Sequence, residues 1–362
     1  MLPVQNEDTS SQGNPLKNFE TAKFASKVHG LITSYSANTH QGIQRNYNED
    51  RVSIILNMTK PASRKDLPSW PKSSYFAIYD GHGGHTCSDF LKDQLHLIII
   101  NQESFPRDPA QALTTGCLEA EKIFMTQADK QLPMHDRSGS CAIIVLIVET
   151  ECYVANVGDS RAIMSADKGK KLFLLSRDHR PNADYEVTRI VKNGGGIYQT
   201  QSIQNVTING KKTNQQQMVL GPHRVLPGRL SVSRTFGDIE AKNPKYGGKD
   251  GVVIAQPEIS QFSVKNDFHD FIVIGCDGIF DRMTNQHVLD VTWDTINSIK
   301  SQEIKDGSAQ QKTVHQVTGA MADAILKQAA TERSLDNLTI VIISFANLQE
   351  FLSDRPPPQR LE

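Results

Sequence analysis

The acidic residues most able to do chemistry in this chain stand at the ends of apolar runs. Glu49 and Asp50 precede the run at 51–56, and Asp80 closes the run at 75–79. Asp277 and Asp281 flank the end of 271–276, and Asp336 precedes 338–345. Asp159 lies in a Gly-Asp-Ser turn between two further apolar runs. Carboxylates gathered at the ends of buried strands repel one another unless something compensates them, and a divalent cation is the strongest compensator. Hard oxygen donors without paired His or Cys select Mg2+ or Mn2+ over zinc. Unrelated turn and cap aspartates are the other explanation, and spacing alone leaves both open. The question is sharpest at residues 75–85, Tyr-Phe-Ala-Ile-Tyr-Asp-Gly-His-Gly-Gly-His. Glycine permits close backbone approach to an ion, so Asp80 and the Gly81 carbonyl could face one ligand.

These residues need strands and helices to hold them. Apolar, turn-bounded runs predict strands at 51–56, 75–79, 141–148, 152–156, 161–164, 171–175, 271–276 and 338–345. Helical periodicity begins at 84, with Leu91, Leu95, Ile98 and Ile99 on one face, and returns at 110–131, 184–192, 285–299 and 309–330. Residues 199–217 are polar, amide-rich and aperiodic, and read as an inserted loop or flap. Runs of strands and runs of helices do not alternate strictly. That order predicts an α+β fold of packed antiparallel sheets covered by helices, not a doubly wound parallel sheet. Residues 1–22 and 351–362 read as a disordered arm and tail around a single domain at 23–350.

Composition narrows the function classes. The chain has 362 residues, 38% hydrophobic and 22% charged, as expected of a soluble globular protein. A net charge of -1 offers no global attraction to nucleic acid or anionic lipid, so any anion site is local. The apolar runs fall short of the ~20 residues a membrane span needs, and the N-terminus lacks a signal-type apolar core. The expected protein is an intracellular monomer, cytoplasmic or nuclear, with no nucleic-acid partner and no transmembrane segment. Five cysteines, widely spread and without a C-x-x-C pair, read as reduced core residues.

In order along the chain stand Arg45-Asn-Tyr-Asn-Glu-Asp50, Asp80-Gly-His-Gly-Gly84, Ser138-Gly-Ser140, Val157-Gly-Asp-Ser-Arg161, Asp178-His179, Leu230-Ser-Val-Ser-Arg-Thr-Phe-Gly-Asp238, Cys276-Asp-Gly-Ile-Phe-Asp281 and Asp336-Asn337. With these motifs the chain resembles the metal-dependent serine/threonine protein phosphatases of type 2C, from about residue 29 to 345. The resemblance implies a four-layer α-β-β-α sandwich of two central antiparallel sheets flanked by helices. It implies that Asp80 bridges two Mg2+ or Mn2+ ions, that the Gly81 carbonyl, Asp277 and Asp336 are further ligands, and that Glu49 and Asp50 hold waters of the second ion. Asp159 and Asp281 match positions that hold a third, weaker ion together with Asp277. Two such ions at ~4 Å lower the pKa of a water between them and supply hydroxide for in-line attack on phosphoserine or phosphothreonine of a phosphoprotein, without a phosphoenzyme. Arg45 would bind the phosphate and His82 would protonate the leaving oxygen. His85 is expected to face the helix, and Asp178-His179 and Arg234 to Asp238 to support the site from behind or act as scaffold, with a turn at Gly237-Asp238.

Two departures from the family pattern stand out. Cys141 takes a position where threonine is common, which should change packing and little else. An insertion at 199–223 falls in the family's flap region, where it bears on substrate choice. Other chemistries are weaker fits. Cys276 and Arg282 have the C-x5-R spacing of cysteine-dependent phosphatases, but two aspartates inside that loop would raise the thiol pKa and repel phosphate. A non-catalytic binding module would lack the metal carboxylates. A two-metal phosphodiesterase would recruit histidines, and the eleven present do not pair with the acidic motifs.

Overall fold

Strands that are apolar on every residue need cover on both faces, and the chain supplies it with two sheets and two helical layers. The structure is a computed structural model that describes residues 15–25, 27–65, 67–208, 211–305 and 311–353. Five strands come first: β1 (Lys23–Ala25), β2 (Ser34–His40), β3 (Arg51–Ile55), β4 (Ser73–Tyr79) and β5 (Gly81–His82). Helices α1 (Thr86–Asn101) and α2 (Pro109–Lys130) lead to β6 (Gly139–Ser140), β7 (Ala142–Val148), β8 (Glu151–Val157), β9 (Arg161–Ala166) and β10 (Lys171–Leu174). Then come α3 (Asp184–Lys192), the long β11 (Gly196–Ile208) and β12 (Lys211–Leu226), β13 (Phe236–Gly237) and α4 (Ile239–Lys242). The order is completed by β14 (Glu258–Ser263), β15 (His269–Gly275), α5 (Asp277–Phe280), α6 (Asn285–Lys305), α7 (Val314–Thr331), β16 (Leu338–Ser344) and α8 (Ala346–Ser353).

One sheet runs β1-β2-β16-β15-β9-β10 and the other β14-β8-β7-β4-β3, with antiparallel neighbours throughout. Alternate residues of β4 serve different layers. Phe76 and Ile78 join Ile272 and Ile274 of β15 and Val341 and Ile343 of β16 in the core between the sheets, where Tyr35 of β2 meets Phe76 edge-on at 5.6 Å. Tyr75, Ala77 and Tyr79 face the other way, onto Leu91 and Leu95 of α1 and Phe124 of α2. Across the molecule, α6 and α7 cover the six-stranded sheet, with Trp293 stacked 6.0 Å from Phe271. This is the expected four-layer α-β-β-α sandwich.

Local expectations fared unevenly. Within the expected loop at 199–217, residues 199–208 and 211–217 instead belong to β11 and β12, which form a long antiparallel ribbon, bulged near Thr200. Strands β2 and β14 were not anticipated. Leu16 and Ala22, placed by sequence in the disordered arm, are buried in the core, and residues 351–353 belong to α8. The rest of the arm and tail, 1–14 and 354–362, lies outside the described residues, as do positions 309–310 of the helix expected at 309–330. That helix starts at Val314, behind a capping box of Thr313 and Gln316. Among the described residues, no helix is long and apolar enough to cross a membrane.

Candidate metal centre

Antiparallel register carries the acidic residues to one end of the sandwich. Tyr79 faces Arg51, so Asp80 leaves β4 where Asp50 enters β3. Gly275 pairs with Arg161 on one side and Ile340 on the other, which brings Asp277 towards Asp159 and Asp336. Asp80, Asp159 and Asp277 each place a carboxylate oxygen within 4.8 Å of the other two. Burial, and then the charges of Asp277, Asp50 and Asp159, hold the Asp80 carboxyl well above the usual range. Burial, Asp159 and Asp336 do the same to Asp277. Burial lifts Asp159 to about 6, against the pull of Arg180. Arg180 relieves the repulsion at Asp159 alone of the three, a further cation would relieve the rest, and three hard oxygens suit Mg2+ or Mn2+. The residues therefore fit a divalent ion.

The backbone is shaped to this cluster. A Cβ on Gly81 would stand 2.5 Å from the Glu49 carbonyl oxygen and 2.7 Å from Ser88 Oγ, so only glycine permits the approach. Cys141 N–H donates to the Asp80 carbonyl at 2.8 Å, and the Cys141 thiol points to Asp159 Oδ1 at 3.6 Å. The Cys141 substitution thus touches the cluster itself, which packing arguments from sequence did not foresee.

Other anticipated residues surround this trio. Glu49 is buried and its Oε1 accepts from Gly84 N–H at 2.7 Å. Asp50, also buried, accepts from Thr339 Oγ1 at 2.6 Å, and burial raises it to about 7. Asp336 accepts from Arg45 Nη2 at 2.6 Å. That guanidinium is 46% exposed, at the mouth of the acidic group. Asp281 is not in the trio: its Oδ1 accepts from Arg180 Nη2 at 2.5 Å. His85 turns to Asp89 of α1 at 2.6 Å. Cys276 is buried, burial and then Asp50, Asp80 and Asp277 push its thiol far up, and Thr339 N–H donates to its sulfur. A thiolate nucleophile is disfavoured there.

Two residues of the quoted motifs make contacts beside the site that the sequence did not specify. Asp238, expected behind the site or as scaffold in a turn, takes left-handed backbone (φ 54, ψ 53), and its carboxylate meets His82 Nε2 at 2.9 and 3.0 Å. Burial would lower the His82 pKa, and the Asp238 charge and hydrogen bond outweigh it and raise it. Strands β5, β6 and β13 form a small sheet beneath the pair, and a Cβ on Gly139 would stand 2.1 Å from Asp238 Oδ2. The glycines around His82 and Asp238 were the available signal. The second residue is Asn337. Its amide accepts from Glu49 N–H at 2.9 Å and donates to the carbonyls of Gln41 and Tyr47 at 2.9 and 3.0 Å, which ties the Arg45 loop to the start of β16.

The fold and site together define an α+β sandwich with a carboxylate cation centre at its strand ends. The family model described as protein phosphatase 2C matches residues 35–331, and the chain belongs to that family. A probable protein phosphatase 2C of Oryza sativa subsp. japonica is 28% identical over 310 residues, covering 86% of this chain and 70% of that protein. A probable protein phosphatase 2C of Caenorhabditis elegans is 33% identical over 226 residues, 62% of this chain and 55% of that protein. The chain thus spans little more than half to about two thirds of the length of these curated relatives. Among solved structures, a phosphatase from Toxoplasma gondii aligns over 90% of this chain and 95% of its own, with a TM-score of 0.60 and 20% identity. A C. elegans sex determining protein aligns over 90% and 68%, with a TM-score of 0.64 and 20% identity. At that identity the structural likeness speaks for the fold.

Proposed function

We propose that the chain hydrolyses phosphoserine and phosphothreonine in proteins at a centre of two Mg2+ or Mn2+ ions, by direct in-line displacement. The observation that carries this reading is the convergence of Asp80, Asp159 and Asp277 in a member of this family. Asp80, the Gly81 carbonyl, Asp277 and Asp336 would hold the ions, and Glu49 and Asp50 would orient their waters. When bound, the ions supply a nucleophile from water at neutral pH and offset the charge of the phosphate. Arg45 is poised to exchange its Asp336 partner for the substrate phosphate, which its planar fork can grip with two hydrogen bonds. His82 donates the proton that the departing seryl or threonyl oxygen requires. With Nε2 committed to Asp238, Nδ1 is the donating atom.

Incubation of the Mn2+-loaded chain with a peptide carrying radiolabelled phosphothreonine tests this reading. Label should appear as inorganic phosphate, with none on the acid-precipitated protein. Label retained on protein, or no release at saturating metal, would contradict it.

A further inference from the structure

The corner formed by Asp159 and Asp281 already holds a cation of the chain's own. Arg180 Nη2 lies 2.5 Å from Asp281 Oδ1 and 3.5 Å from Asp159 Oδ2. Its Nε is 3.5 Å from Asp178 Oδ2. Asp178 is itself gripped by Arg161, at 2.9 Å through Nε and 2.6 Å through Nη2. The backbone around Arg180 is clipped to the Asp159 turn. His179 N–H donates to the Gly158 carbonyl at 2.9 Å, and Gly158 N–H donates to His179 Nδ1 at 3.1 Å, with His179 fully buried. From this held backbone the Arg180 side chain reaches the Asp159–Asp281 corner. A guanidinium stays protonated across the pH range of a folded protein, so titration does not remove it.

A third ion at Asp159, Asp277 and Asp281 does not fit beside this arrangement. Asp281 faces the guanidinium and stands outside the three-oxygen cluster. We propose that Arg180 is the resident counter-ion of the Asp159–Asp281 corner, so that a third divalent ion must compete with the chain's own guanidinium. The inference rests on the two-ion centre proposed above. A tethered cation competes intramolecularly at an effective concentration set by its tether, which raises the metal concentration needed to occupy the corner. Removing Arg180 leaves two carboxylates uncompensated and opens the corner to metal.

Equilibrium dialysis of the full chain against Mn2+ into the millimolar range, with the bound metal counted, tests this. Wild type should take up two ions. Arg180→Gln should take up a third, at least about ten-fold more tightly than wild type does, and the Arg180→Gln, Asp281→Asn pair should return to two. Arg180→Met, which keeps an apolar stem without charge, carries the same expectation in case the glutamine variant folds poorly. Uptake of three ions by wild type with the affinity of the Arg180 variants would overturn the proposal. So would folded Arg180 variants that remain at two. Wild type that binds no tight ion would instead overturn the two-ion centre on which the proposal rests.

Discussion

At the scale of single residues, the pairing of His82 with Asp238 divides two kinds of substrate. A threonyl alkoxide leaves poorly without a proton, whereas p-nitrophenolate needs none. Asp238→Asn keeps the shape of the side chain and removes the charge that holds the imidazole. It should slow hydrolysis of a phosphothreonine peptide on the order of 10–100-fold and change p-nitrophenyl phosphate hydrolysis far less. Equal losses on both substrates would make Asp238 a scaffold residue only. The acidic residues that converge at the strand ends were legible in the sequence because an acid at the end of an apolar run recurs several times. The partner of His82 was not, since it lies 156 positions away in a turn whose local pattern announces only left-handed backbone. Asn337 was hidden for a related reason: its three hydrogen bonds reach residues almost 300 positions distant.

At the scale of elements, α3 fixes the segment that leads to Asp238. Its Glu186 is buried and accepts from Arg234 Nη2 at 2.7 Å, Ser233 Oγ at 2.5 Å and Arg189 Nη2 at 2.5 Å. Burial pushes this carboxyl up, but those bonds and charges prevail and hold it at about 2, against an ordinary value of 4.5. The stabilisation is therefore complete above pH 4.5 and is lost as pH falls towards 2. It amounts to about 3 kcal/mol at neutral pH. In urea unfolding, Glu186→Gln should be less stable than wild type at pH 7 by that order, and the gap should narrow as pH drops from 4.5 towards 2. A gap independent of pH would contradict the assignment.

The strands that sequence reasoning missed have polar faces with concealed partners. In β2, Ser34 Oγ bonds Thr318 Oγ1 at 2.9 Å and Ser36 Oγ donates to the Thr318 carbonyl at 2.8 Å, so hydroxyls occupy positions where apolar side chains would have signalled a strand. The β11–β12 ribbon exposes Ile203, Met218 and Leu220. Among the described side chains none is buried at 199–203 or 216–220, so this part of the ribbon leaves no alternation to read. The fully buried β4, β7, β15 and β16 were legible because both faces are covered and each carries a run of apolar residues.

At the scale of the whole molecule, the distance between the two sheets sets the geometry of the centre. Asp80 follows a strand of the five-stranded sheet, Asp277 and Asp336 flank strands of the six-stranded sheet, and Asp159 lies in the turn that passes from one to the other. The core between the sheets is thus also the support of the cluster. Phe76→Ala, which removes a fully buried ring from that core, should cost about 3–5 kcal/mol in urea unfolding and weaken Mn2+ binding in the folded fraction. Unchanged stability would mean that the sheets repack without it.

Under the proposed function, Asp80 belongs to a cation centre that performs phosphoester hydrolysis. Phosphate release from a phosphothreonine peptide, measured for wild type and Asp80→Ala, each with Mn2+ and after chelation, tests it most directly. Only wild type with Mn2+ should release phosphate. Equal rates under all four conditions would contradict the claim.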